Sequence, residues 1–197
     1  RYPVYLLTGL LPWSFLSQSL GRSIGSLSSE CVLIRRTRMP YELIPIAMVL
    51  ETAVFFVVTL AGLIAVLGVA GQLRWVILPA VVLPVVAMIA FVSSLALIVS
   101  LIDVYNRDLR WILGNLLLAW SFLLPIVYQH EAFPAMRALR YVDPMNIILG
   151  QFRDILYYGH ISRPGHLLLM MAVSTGALVT TLVAFRRLTR HLAKDVR

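Results

Sequence analysis

LIPIAMVLETAVFFVVTLAGLIAVLGV, the run from Leu43 to Val69, holds a single charged side chain, Glu51, in 27 residues. At about 1.5 Å per residue, an α-helix of that length exceeds the roughly 30 Å hydrocarbon core of a bilayer. Backbone amides in lipid must bond within their own segment or around a closed barrel. This run lacks the polar–apolar alternation of a barrel strand. It predicts a membrane-spanning helix.

Working outward, four more apolar stretches repeat the pattern, so that spans are expected at about 4–20, 43–69, 75–102, 111–128 and 167–185. Across all 197 residues the chain is 60% hydrophobic and 13% charged, with a mean hydropathy of +0.86. So little polar surface cannot coat a water-soluble globule. The expected fold is all-α, a polytopic transmembrane helix bundle forming one domain over residues 1–197.

The net charge of +8 would suggest nucleic acid if it formed one soluble patch, but the basic residues sit at helix ends and in short connections, so no nucleic-acid partner is expected. They predict an orientation instead. With the N-terminus outside, the inner side holds Arg22, Arg35, Arg36, Arg38, Arg107, Arg110, Arg186, Arg187, Arg190, Lys194 and Arg197. The outer side keeps Arg1, Arg74, Arg137, Arg140, Arg153 and Arg163. Eleven against six follows the positive-inside rule. The chain opens at Arg1, and an outside N-terminus with five spans predicts a first span upstream. Cys31, the single cysteine, falls on the predicted cytoplasmic side, where packing is its expected role.

Within the first span, Pro12, Ser14, Ser17, Gln18 and Ser19 are too polar to face lipid, which makes this helix internal to the bundle or lining a water-filled path. Ser28 or Ser29 can cap a short helix reaching about Arg36, with Leu27, Val32 and Ile34 on an apolar side and arginines on the other. Pro79 and Pro84 predict a tilt or kink in the third span. After Tyr128 the connection is too charged to span twice, yet Met145, Ile148, Leu149, Phe152, Ile155 and Leu156 recur at helical spacing. An outer amphipathic or re-entrant helix is expected at about 144–158. Asp143 would be its N-cap, Pro144 its first residue and Gly159 its stop.

Chemical motifs are sparse. Gly21-Arg22-Ser23-Ile24-Gly25 matches the nucleophile pattern G-x-S-x-G, but it ends a membrane helix rather than forming a strand-to-helix elbow. The same residues spell G-x-x-x-G, a spacing that favours close helix packing. Glu51, about 12 Å into its span, is either a functional carboxylate or a hydrogen-bonded residue locking helices together. His130, His160 and His166 lack the spacing of a metal site, and no G-x-x-x-x-G-K-[ST] loop is present to cradle a nucleotide. Any ATP must be used by another chain. The rings of Trp13, Phe15, Trp120, Phe122 and Tyr128 suit either a sugar track or interface anchoring.

In order, Leu10-Leu11-Pro12-Trp13, Leu33-Ile34-Arg35-Arg36 and Met39-Pro40-Tyr41-Glu42-Leu43-Ile44-Pro45 resemble the permease subunit of type-2 ABC exporters. So do Asp103-Val104-Tyr105-Asn106-Arg107-Asp108, Leu124-Pro125-Ile126-Val127-Tyr128 and Asp143-Pro144-Met145-Asn146. The resemblance spans essentially the whole chain and is strongest to polysaccharide exporters of the Wzm and TagG kind, which move O-antigen, teichoic acid or galactan. It departs at Tyr41, where family members often carry a basic residue.

That resemblance implies a homodimer of six-span permeases in the bacterial inner membrane, working with two copies of a separate ATPase that holds the ATP and Mg. No cofactor is expected on this chain itself. Residues 28–38 would be the coupling helix that docks on the ATPase, through Glu30, Leu33, Ile34, Arg35, Arg36 and Arg38. A lipid-linked glycan would pass between two permeases, with Trp13, Ser17, Gln18, Trp120, Phe122 and Tyr128 lining or gating its path. Membrane lipids surround the rest. Two alternatives stand beside this: a permease for a drug or simple lipid, and a membrane enzyme acting on polyprenyl-linked sugars through acids such as Asp143 or Asp154.

Overall fold

The computed structural model describes residues 2–29, 40–71, 75–106, 108–126, 143–160 and 164–195. In these the chain is all-helical, without a strand: α1 (Tyr2–Ser23), α2 (Ser26–Ser29), α3 (Leu43–Val69), a 3-10 turn (Leu78–Val81) running into α4 (Val82–Tyr105), α5 (Leu109–Leu123), α6 (Pro144–Arg153) continued by a π turn (Asp154–Tyr158), and α7 (Pro164–Asp195). Among the described residues three helices are long and apolar enough to cross a membrane: Leu43–Val69, Leu78–Tyr105 and Gly165–Leu188. With 22 residues α1 has the length but a more polar composition. α5 is apolar but has only 15 residues.

Local chemistry sets these ends. Pro79 lies in the 3-10 turn and Pro84 in the first turn of α4, where a missing amide hydrogen costs no helical bond. α5 stops at Leu123 because Leu124 precedes Pro125; the proline ring pushes its predecessor out of helical conformation, and Leu124 is extended with ψ 140°. Tyr128, which the sequence places at the end of this span, lies outside the described residues, as do Arg107 and His130. The segment expected to dock, with Glu30, Cys31, Leu33, Ile34, Arg35, Arg36 and Arg38, also lies outside them; α2 is what is described of its approach.

The polar helix α1 sits inside the bundle, against α3, α4, α5 and α6. Tyr5, Thr8, Gly9, Pro12, Phe15, Leu16, Ser19, Leu20 and Ser23 make its buried face at helical spacing. Its hydroxyls are satisfied locally: Thr8 Oγ1 donates to the Tyr5 carbonyl at 2.8 Å, Ser14 Oγ to Leu11 at 2.8 Å and Ser23 Oγ to Ser19 at 2.8 Å. Ser19 and Thr52 hydroxyls lie 2.6 Å apart, bonding α1 to α3. α4 and α7 share the most extensive helix pairing.

The amphipathic stretch after Asp143 is a core element. Met145, Ile148, Leu149 and Phe152 of α6 are fully buried, in one cluster with Phe15, Leu16, Val49, Phe56, Met88 and Val92. Phe15 stacks on Phe56 at 5.0 Å, and Phe56 meets Phe152 edge-on at 6.0 Å, so three rings tie α1, α3 and α6 together. Outward, α3 presents Leu50, Val54, Phe55, Val58 and Val66, α5 presents Trp111, Ile112 and Leu116, and α7 presents Leu168, Leu169 and Val179. Apolar surface of that extent suits lipid and would drive association in water.

Among the described residues of one copy, no helix packs closely at Gly21 as the G-x-x-x-G spacing at 21–25 predicts. A Cβ built on Gly21 meets nothing within 4 Å, because Gly21 sits on an exposed side of α1. Gly25 instead makes a turn at φ 76°, a conformation glycine adopts without strain. Its amide donates to Asp103 Oδ2 at 2.7 Å, joining the end of α1 to the end of α4.

Candidate functional site

Where α1, α5 and α6 converge, the Trp13 and Trp120 rings meet edge to face, 5.9 Å apart at 83°. This is the favourable geometry for two ring quadrupoles. The Trp120 indole Nε1 donates to Asp143 Oδ2 at 2.9 Å. The other oxygen of that carboxylate, Oδ1, accepts from the Met145 amide at 3.0 Å and caps α6 as the sequence predicts. Asp143 therefore has both oxygens engaged, one on its own helix and one on α5.

At the far end of α6, Arg153 is only 5% exposed. Its Nη2 donates to the carbonyls of Pro125 and Ile126, just beyond α5. The guanidinium carbon lies 3.9 Å from the centre of the Tyr5 ring on α1, within cation–π range. Its planar head also occupies the space left by Gly9: a Cβ there would fall 2.7 Å from Nη2. No carboxylate pairs with Arg153 among the described residues, and its Nε is buried without a partner. α6 is outside the three spanning helices. Burial lowers the proton affinity of Arg153 below that of an ordinary arginine, against an opposing effect of Tyr5 and Tyr158. Tyr157 completes the group, edge-on to Tyr5 at 5.6 Å.

Of the six residues expected to line a path, Trp13 and Trp120 are brought together, both half-buried. Ser17 is half-buried one turn from Trp13, its hydroxyl donating to the Ser14 carbonyl at 3.2 Å. Gln18 is exposed, about 140° around the helix from Trp13. Phe122 is 70% exposed and about 200° around α5 from Trp120, so it faces away from the tryptophan pair. Tyr5, Gly9 and Arg153 were not singled out in the sequence. A signal did exist: Arg153 follows Leu149 by four residues, on the edge of an apolar stripe where a charge is unusual.

The opposite end of the bundle collects the ion pairs. Arg22 Nη2 lies 2.7 Å from Glu51 Oε1, joining α1 to α3. Of the two readings open for Glu51, this contact favours the helix-locking one. Arg186 Nε lies 2.7 Å from Oε1 of Glu42, whose side chain is 9% exposed, joining α7 to the start of α3. Among the described residues no group of His, Cys, Asp or Glu is arranged to hold a metal ion.

No family model matches the chain. It is 30% identical over 204 residues to the O-antigen export system permease protein RfbA of Myxococcus xanthus, covering 100% of this chain and 76% of that protein. Two Klebsiella pneumoniae proteins of the same name are 24% identical over 166 residues and 26% identical over 137 residues. Those matches cover 82% and 68% of this chain, and 63% and 52% of the relatives.

Proposed function

The chain belongs to the family of O-antigen export system permease proteins, and from that premise we propose that it is half of a transmembrane path through which a partner ABC ATPase drives a lipid-linked glycan out of the cytoplasm. The observation that carries the reading is similarity along the full length of the chain to a permease named for O-antigen export. It is supported by a bundle that holds a polar, hydroxyl-rich helix against two of its three helices fit for lipid, α3 and α4. The same reading makes the chain a type-2 ABC exporter permease of the bacterial inner membrane.

In this proposal two copies of the permease face each other and the glycan moves between them. Trp13 and Trp120 offer apolar ring faces over which sugars slide, and Ser17 and Gln18 continue the same helix with hydrogen-bonding groups. Tyr128 flanks the path. The bundle end bearing Arg22, Glu42 and Arg186 is cytoplasmic, following the basic residues. Residues 28–38 dock on the ATPase, burying Leu33 and Ile34 while Glu30, Arg35, Arg36 and Arg38 set the register. ATP and Mg bind to that partner, in two copies.

The enzyme alternative loses ground at Asp143, whose oxygens are already engaged by Trp120 and Met145. The test is reconstitution of the permease with its ATPase in vesicles. Stimulation of ATP hydrolysis by an undecaprenyl-linked glycan, with glycan crossing the bilayer, is the expected result. Stimulation by simple lipids or drugs alone, or glycan turnover with no ATPase present, overturns it.

A further inference from the structure

The ridge Tyr5, Gly9 and Trp13, spaced four residues apart on α1, runs past both ends of α6. Trp13 meets Trp120, which Asp143 holds from the first end; Tyr5 and Gly9 meet Arg153 at the other. α6 is thus fastened to the end of α5 twice, through the Trp120 indole and through the Pro125 and Ile126 carbonyls. We propose that Arg153 is a positioning residue: it pins the end of α5 against the glycine notch of α1 and thereby fixes the Trp13–Trp120 pair. This rests on the reading of that pair as part of the glycan path.

Three features make arginine the fitting residue. The carbonyls of Pro125 and Ile126 lie just beyond α5, outside its ladder of helical hydrogen bonds, and one planar guanidinium nitrogen reaches both. The guanidinium carbon also lies over Tyr5, whose ring supplies negative potential where no carboxylate among the described residues does. Finally, the head group occupies the space that a side chain at position 9 would take, so any larger residue there must displace it. A buried cation held by contacts of this kind tolerates their loss poorly, so the cluster is set to hold or release as a unit.

The experiment uses the full permease with its ATPase in vesicles. Trp75→Phe and Trp111→Phe leave Trp13 and Trp120 as the only tryptophans, and their quenching by aqueous acrylamide reports the pair. Arg153→Lys, Arg153→Met, Gly9→Ala and the double variant Gly9→Ala with Arg153→Met are compared. Gly9→Ala should raise quenching and lower glycan exported per ATP hydrolysed on the order of fivefold, while having little further effect in the Arg153→Met background, as for two residues acting through one contact. Arg153→Lys keeps the charge and should fall between the parent and Arg153→Met. Additive effects of Gly9→Ala and Arg153→Met, or quenching unchanged by either, overturn the positioning role. Coupled quenching with export unchanged leaves Arg153 as the positioning residue and removes the tryptophan pair from the path.

Discussion

Trp120 and Asp143, 23 positions apart, are joined by one hydrogen bond of 2.9 Å from the indole nitrogen to a carboxylate that also caps α6. A single acid therefore does two jobs, starting a helix and anchoring a ring of another. Replacing Asp143 by Ala should remove both and destabilise the protein by about 1–3 kcal/mol, a lost cap plus a lost hydrogen bond to a charged acceptor. Asp143→Asn, which keeps acceptor capacity, should lose less than half as much. Thermal unfolding of the detergent-solubilised protein measures both; equal losses would show that the acceptor role is not what matters.

Phe152 carries the next prediction. It is fully buried and edge-on to Phe56, so Phe152→Ala should cost about 3–5 kcal/mol by leaving a cavity between three helices. Phe152→Leu should cost much less. A small loss for the alanine variant would mean that α6 lies on the bundle rather than in it.

Glu51 should be replaceable. Arg22 and Glu51 meet at 2.7 Å with each side chain about half uncovered by the bundle, 44% and 50%, so the contact joins two helices without being enclosed by them. Glu51→Gln, which can still accept from Arg22, is expected to retain export. Abolished export would point to a functional carboxylate instead.

Cys31 provides a check on orientation. An impermeant thiol reagent should leave intact cells unlabelled at this sole cysteine and label it after permeabilisation. Crosslinks from the same sulfur to the ATPase are expected if the neighbouring segment docks there.

Much of the fold was legible because membrane insertion is decided by local composition. The run Leu43–Val69 had to be helical once lipid was its solvent. Asp143, Pro144 and Gly159 marked a helix start and stop through short-range backbone chemistry, and the structure places them as N-cap, first residue and left-handed C-cap. The site was less legible. Trp13 and Trp120 could be named as aromatic residues of interest, but their sequence separation hides the contact; Phe122, equally aromatic, points elsewhere.

By itself, then, the sequence determined an all-α membrane chain, the polar character of its first helix and the caps of its sixth, since each depends on neighbouring residues and the solvent around them. Only the tertiary structure decided that α6 is buried, that Arg22 engages Glu51, and that Arg153 fills a notch at Gly9 beneath Tyr5. Those outcomes depend on which distant segments share a space of a few ångströms. At that range one missing Cβ leaves the space that a guanidinium takes up.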